Sequence, residues 1–136
     1  MSFISLFFAA SQIHFISRYH GKTVKGLVGS SVNFTWTFSN GVETVTWGLK
    51  RNNFYGIDDN GRLVSLGKIG PNKITVPQSY AGRVSGSRSG DSSSGQAIFT
   101  LSNIKKNDER GYGCRISPDG PFSPVFDSVY LLVEGG

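Results

Sequence analysis

The stretch NDERGYGC, residues 107–114, contains the only cysteine of the chain, Cys114. Tyr112 precedes this cysteine by two residues, and Asp108 precedes the tyrosine by four. A cysteine in such a context usually forms a disulfide, but this sequence holds no partner for it. The residue that Cys114 faces must therefore be sought elsewhere in the chain.

Length and composition indicate an all-β protein with one domain. A chain of 136 residues is long enough to bury a hydrophobic core without disulfides. Gly and Ser are abundant, and Val, Thr, Phe and Tyr recur in short runs, which suits strands joined by turns. No part of the sequence sustains the apolar spacing of an amphipathic helix.

Alternation of apolar and polar residues predicts the strands. In GSSVNFTWTFS, every second residue from Val32 to Phe38 is apolar, and VETVTWGLK repeats the pattern around Trp47. We expect RNNFYGIDDNG to be a polar loop with a turn at Asn60-Gly61. The later strands are predicted at RLVSLGKI, KITV, GRVSGS, QAIFTLSNI, YGCRIS and VFDSVYLLVEG. With the strands before Gly29 this gives about nine, which favours a β-sandwich or a barrel.

The order of GSSVNFTW, Trp47 and DERGYGC resembles the variable-type (V-set) domain of the immunoglobulin superfamily. Trp47 matches the tryptophan of the family's third strand. Asp108, Tyr112 and Cys114 match the family pattern D-x-G-x-Y-x-C, in which Arg110 stands where the family has Gly. The resemblance covers about residues 12–134 and implies a sandwich of two antiparallel sheets with about nine strands.

The resemblance also implies what Cys114 faces. Aligned with the family's second strand, GSSVNFTW puts Trp36 where the first cysteine belongs. We therefore expect a structural core of Trp36, Trp47, Tyr112 and Cys114, in which the thiol acts as a small apolar group. The alternative is a reactive or intermolecular thiol.

Two further residues are expected to pair because of the resemblance. Arg83 matches the arginine at the base of the family's fourth strand, and its partner there is the aspartate of the tyrosine motif, here Asp108. The pair is predicted to be structural, as is the corner formed by Tyr112. The last strand lacks the Phe-Gly-x-Gly bulge of antibody and T-cell-receptor domains, which favours adhesion, immune and allorecognition receptors.

The ends of the chain suggest an extracellular protein. Residues 1–11 resemble a signal peptide, with a first strand or a disordered tail as the alternatives. The domain is predicted at 12–134, and residues 135–136 begin a linker. Membrane attachment is expected only through an anchor outside this segment, because no run is long enough to span a bilayer.

The charge pattern and the lack of a catalytic cluster argue against nucleic-acid binding, catalysis and metal binding. The net charge is +5 and the pI is about 9.6, but the basic residues are scattered, so a nucleic-acid partner is not expected. His14 and His20 have no nucleophile or ligand cluster nearby, so neither catalysis nor a cofactor or metal is expected. An acidic partner surface remains a candidate.

The sequon Asn33-Phe34-Thr35 indicates which sheet is free to bind. Asn33 is predicted to point outward. A glycan there would cover the sheet that, in the family's lettering of strands in chain order, holds strands A, B, E and D. An unmodified Asn33 is the alternative. The opposite sheet (C, C′, C″, F, G) would then be the binding face. We expect Lys50 and Arg115 to flank Phe122, the apolar tip of the loop 118–124, unless Phe122 packs back onto the sandwich.

We therefore predict a secreted or cell-surface recognition domain that binds a protein, with a second copy of the chain among the candidate partners. Cell adhesion and self/non-self recognition are the expected settings. A secreted defence module that binds acidic glycans is one alternative hypothesis. A structural sandwich of a viral or appendage protein is another.

Overall fold

The computed structural model describes residues 12–52 and 56–135 of the chain. Within these residues the chain forms nine strands and two short 3-10 turns, at Gln78–Tyr80 and Lys106–Asp108. The strands are β1 (Phe15–Ser17), β2 (Thr23–Leu27), β3 (Val32–Ser39), β4 (Val42–Lys50), β5 (Ile57–Leu66), β6 (Val84–Gly90), β7 (Ser94–Leu101), β8 (Arg110–Pro118) and β9 (Val125–Glu134).

The strands form two sheets that pack face to face. The four-stranded sheet has the order β1-β3-β7-β6, and the five-stranded sheet has the order β2-β9-β8-β4-β5. All neighbouring strands are antiparallel except β2 and β9, which are parallel. The prediction of an all-β sandwich with about nine strands is confirmed.

The N-terminal chain crosses from one sheet to the other between β1 and β2. β1 pairs with β3, whereas β2 pairs with β9 in the opposite sheet. The crossing turn places His20 and Gly21 at positive φ, 54° and 80°, and Lys22 N–H closes it on the Tyr19 carbonyl at 3.0 Å. Each sheet therefore gains one edge strand from the same short segment.

The core consists of the inward residues of both sheets. On β3 the apolar residues predicted by alternation are all buried, whereas Asn33 between them is exposed. The fully buried large side chains include Trp36, Trp47, Tyr112, Phe34, Phe38 and Phe99. Burial of large side chains at both sheets provides most of the driving force for folding.

One predicted turn and one predicted strand are wrong. Asn60 and Gly61 lie inside β5 and do not form a hairpin turn. The segment KITV, residues 73–76, is not a strand, because the chain turns back at Leu66, which bridges Pro71, and Asn72 N–H then bonds the Ser65 carbonyl at 2.8 Å. The fifth strand of the larger sheet is therefore β2 and not the expected C″ strand.

Candidate functional site

The four residues predicted as the structural core lie together in the interior. Trp36 lies on β3, and Trp47 and Cys114 are register partners on the facing sheet. All four, including Tyr112, are 0% exposed. The ring of Phe99 links the two indoles, with centroid distances of 6.0 Å to Trp36 and 5.4 Å to Trp47.

Cys114 is unsuited to nucleophilic chemistry. Complete burial, together with the nearby carboxylate of Asp127, raises the pKa of its thiol well above the ordinary value. A thiol with a raised pKa carries little thiolate at neutral pH, and the thiolate is the reactive form. The residue therefore acts as a small apolar side chain within this core.

A buried carboxylate that the sequence did not reveal bonds the indole of Trp36. Trp36 Nε1–H donates to Asp127 Oδ2 at 2.8 Å, and Asp127 is only 2% exposed. The same carboxylate accepts the backbone N–H groups of Tyr19 at 2.7 Å and His20 at 3.0 Å, and Arg18 Nε at 3.3 Å. Asp127 thus connects the inter-sheet core to the crossing of the N-terminal chain.

Arg83 and Asp108 form a bidentate ion pair at the base of the sandwich. Arg83 Nη1 donates to Asp108 Oδ2 at 2.7 Å, and Nη2 donates to Oδ1 at 2.9 Å. Tyr112 donates its hydroxyl to the Asp108 carbonyl at 2.6 Å. Burial opposes ionisation of Asp108, but the bonds from Arg83 and from the Lys105 N–H outweigh it and lower the pKa of that carboxyl. The pair links the residue before β6 to the turn before β8.

Asn33 is exposed on the outward side of the four-stranded sheet. Its Oδ1 accepts the hydroxyl of Thr100 on β7 at 2.7 Å. This bond uses the amide oxygen and not the nitrogen to which a glycan would attach.

The small residues on the outward side of the five-stranded sheet do not form a bare surface. A side chain at Gly113 would overlap the ring of Phe126, and one at Gly48 would lie 2.7 Å from Ile57 Cγ2. Thr46 is 3% exposed, with Oγ1 3.3 Å from the Ser65 hydroxyl. The middle of this face is therefore covered by aromatic and aliphatic side chains.

The structure separates the three residues predicted for the binding face. The loop 118–124 begins where Pro118 pairs with Val42, at one end of β4. Lys50 lies at the other end of β4, eight residues from Val42, which corresponds to roughly 26 Å along a strand. Arg115 lies between them, opposite Thr46 and Phe126. Lys50 therefore does not flank Phe122, because the strand register places them at opposite ends.

Phe122 is 36% exposed at the loop end of the sandwich. Ile69, which sequence reasoning missed, is fully exposed at the tip of a turn closed by the Gly67 N–H and the Gly70 carbonyl at 2.9 Å. The neighbouring Lys68 pairs with Glu43 of β4 at 3.5 Å. Phe122 and Ile69 therefore lie at the end of the sandwich where β4 begins.

An open groove lies at the Lys50 end of the same sheet. Its volume is about 770 Å³, and Ser128 and the half-exposed Tyr130 of β9 form one side. Arg110 Nη2 donates to the Lys50 backbone carbonyl at 3.1 Å, which holds the Arg110 guanidinium against the end of β4. In the described part of the chain, the groove is lined by Lys50, Arg51 and Arg110 and by no Asp or Glu. We call this feature the basic groove.

Residues 12–52 and 56–135 contain no group of three or more His, Cys, Asp or Glu side chains that could hold a metal ion. His14 and His20 are both exposed. No helix in the described residues is long and apolar enough to cross a membrane.

Comparison with known proteins identifies the fold. No protein-family model and no curated protein matches the chain. A solved structure of Tim-1 is 24% identical, with a TM-score of 0.61 over 82% of this chain and 90% of that one. A structure of VGSC beta subunits is 17% identical, with a TM-score of 0.63 over 88% of this chain and 96% of that one.

A chimeric titin Z1Z2 is similar over 91% of this chain, with 17% identity and a TM-score of 0.58. This chain spans 48% of the titin chain, about half its length. Identities this low establish the fold and not the activity. The chain has an immunoglobulin-like fold.

Proposed function

We propose that the chain is a V-type immunoglobulin domain of a secreted or cell-surface protein, and that it binds a protein partner through the outward face of its five-stranded sheet. The observation that carries this proposal is the basic groove at one end of that face. Cell adhesion or self/non-self recognition is the setting that we infer, with a second copy of the chain among the partners.

The charges on this face support recognition of an acidic partner surface. Within the described residues, no ion pair with a carboxylate is formed by Lys50, Arg110 or Arg115. Positive charge without an internal counter-ion attracts acidic partners and accelerates their association. The net charge of +5 acts in the same direction.

The sequon on the four-stranded sheet also supports binding through the five-stranded sheet, because a glycan would block the former. Asn33 is exposed there, and a glycan at its sequon would cover the outward side of β3 and β7. The five-stranded sheet carries no N-x-Ser/Thr sequence in its described strands. A protein partner can therefore approach it closely.

Strand order supports the variable type. In the constant type the three-stranded sheet ends at the family's third strand, whereas the variable type adds two strands, C′ and C″, beside it, and β5 takes the position of the first of these. Here β5 pairs with β4 on the side away from β8. Trp36 and Cys114 occupy the interior on facing sheets, which supports the substitution of tryptophan for the first cysteine.

One of the structural neighbours supports an adhesive role. The VGSC beta subunits are described by their multimeric cell-adhesive interactions, and the solved Tim-1 chain matches this fold over 90% of its length. Neither likeness identifies a ligand for this chain. The charged face of the chain itself therefore has to be tested.

The test is a biotin-linked tetramer of the domain, applied to an array of secreted and cell-surface ectodomains that includes the domain itself, and to a glycan array. We expect binding to at least one ectodomain, with a loss of about tenfold or more after Lys50→Glu or Arg115→Glu. Thr35→Glu, on the four-stranded sheet, is the control and should bind as the wild type does.

Binding confined to acidic glycans would contradict the proposal and favour a glycan-binding defence module. Loss of binding in Thr35→Glu, with Lys50→Glu and Arg115→Glu unchanged, would place the contact on the opposite sheet. Circular dichroism of each variant establishes that it is folded.

A further inference from the structure

The start of β5 forms an acidic bulge beside β4. Lys50 pairs with Ile57 and Gly48 pairs with Arg62, so the four residues 58–61 stand opposite the single residue Leu49. The Ile57 side chain and the Gly61 carbonyl lie within 2.7 Å of the position that a side chain on Gly48 would take. The bulge therefore folds over the outward side of β4.

Asp58 and Asp59 are exposed on this bulge. The Asp58 carboxylate accepts the backbone N–H of Asn60 at 3.1 Å. Among the described residues, neither aspartate forms an ion pair with a basic side chain. We call the segment 58–61 the acidic bulge.

The acidic bulge and the basic groove lie at the same level of the sheet, on opposite sides of the end of β4. Leu49 pairs with Tyr112, which brings Lys50 beside Gly111, whose side-chain position would lie 3.2 Å from Lys50 Cδ. Arg110 precedes Gly111 on β8. The two features are therefore separated across the strands and not along them.

This arrangement is self-complementary. A two-fold axis parallel to the strands and above β4 keeps each residue at its own level and places β5 of one copy over β8 of the other. The bulge of each copy then meets the groove of its partner, so the charge contact forms twice. Tyr130, which is 40% exposed in the groove, adds an aromatic surface on β9 at the edge of the contact.

We propose that two copies of the chain associate face to face, with Asp58 and Asp59 of each copy bound in the basic groove of the other. The inference rests on the proposed function, because it assigns a partner to the same sheet face. Charge complementarity selects a second copy: the face supplies the cations and the matching anions at one level. An acidic segment of another protein would satisfy the groove but would leave the bulge unmatched.

The test is sedimentation velocity of the wild type and of two opposite charge reversals. Lys50→Glu/Arg110→Glu makes both features negative, and Asp58→Lys/Asp59→Lys makes both positive. We expect the wild type to dimerise and each variant alone to remain monomeric, with a dimerisation constant weakened about tenfold or more. Mixed together, the two variants should form a one-to-one heterodimer, because every contact then joins opposite charges.

Thr35→Glu is the matched control and should dimerise as the wild type does. High salt should weaken the wild-type dimer, because the Debye screening length falls to about 3 Å at an ionic strength of 1 M. Arg110 donates a hydrogen bond to the Lys50 carbonyl, so its loss can disturb folding. In that case Lys50→Glu alone replaces the double variant.

A monomeric wild type at all concentrations, or a mixture of variants that stays monomeric, would overturn the proposal. This failure is distinguishable from failure of the proposed function. A monomeric domain that still binds another ectodomain through Lys50 and Arg115 keeps the function and removes only the self-association.

Discussion

Trp36 Nε1–H donates a 2.8 Å hydrogen bond to Asp127 Oδ2 in the space between the two sheets. Trp36 belongs to the four-stranded sheet and Asp127 to the five-stranded one. The bond therefore joins the sheets in the region where the V-set pattern expects a disulfide. Because Asp127 also accepts the N–H groups of Tyr19 and His20, loss of the indole donor would affect the N-terminal crossing as well.

The first prediction compares the two tryptophans. Trp36→Phe should destabilise the domain by about 1–3 kcal/mol more than Trp47→Phe, because only the former leaves a buried carboxylate short of a donor. Both indoles are fully buried, but Trp47 Nε1 has no hydrogen-bond partner in the described structure. Urea unfolding measures the two free energies. Equal losses would show that the Trp36–Asp127 bond contributes nothing.

The second prediction concerns the position of the missing cysteine. Trp36→Cys should form an internal disulfide with Cys114 under oxidising conditions, because the family places that bond between these two positions. Intact mass after alkylation detects it. Two readily alkylated thiols in the folded variant would mean that these positions do not correspond to the family's cysteines. In the wild type, alkylation of Cys114 should require unfolding, since its thiol is buried.

The third prediction concerns the ion pair at the base of the sandwich. Arg83→Ala should cost about 1–3 kcal/mol, because it leaves the Asp108 carboxylate without its guanidinium. Asp108 is 2% exposed. Arg62→Ala removes the same side chain from an exposed position and should change stability by less than about 0.5 kcal/mol. Melting of Arg83→Ala at the wild-type temperature would argue against a stabilising role.

The same pair gives stability a defined pH dependence. The pKa of Asp108 is lowered from its ordinary value of 3.8 in the folded state. The unfolded chain therefore binds more protons between the folded and unfolded pKa values, and stability falls as the pH drops through that window. Below about pH 4, the wild type should lose stability more steeply than Arg83→Ala. Parallel pH profiles would contradict this assignment.

Much of the sandwich could be predicted from alternation, but the edge of β5 could not. The alternation from Val32 to Phe38 predicts a strand, and β3 spans Val32–Ser39. Asn60-Gly61 indicates a turn by local chemistry, yet Gly61 lies in β5, where a side chain would come within 2.9 Å of Leu49 Cβ. Here glycine is required by close approach and not by a turn.

The contacts of Asp127 could not be predicted from sequence patterns. Asp127 follows Phe126 in a strand whose polar residues are expected to face water, yet its partner Trp36 is 91 residues away. The separation of Lys50 from Phe122 depends on the register of β4 against β8, which short motifs do not determine. Arg83 and Asp108 could be anticipated because the family motif carries their positions.

The fourth prediction concerns the sequon. When the chain is expressed with a secretory leader in eukaryotic cells, Asn33 should carry an N-linked glycan, because its side chain is exposed on β3. Enzymatic removal of N-glycans should lower the mass of the wild type and leave Asn33→Gln unchanged. An unmodified wild type would remove the steric argument against the four-stranded sheet. The glycosylated domain should keep its partner binding.

The most direct test of the recognition surface is hydroxyl-radical and lysine-acetylation footprinting of the domain, alone and with the ectodomain that it binds. We predict that binding lowers the reactivity of Lys50 and Tyr130 on the five-stranded sheet. Ile16, which is 57% exposed on the opposite sheet, should react equally in both states. Protection of Ile16 with unchanged Lys50 and Tyr130 would contradict the account.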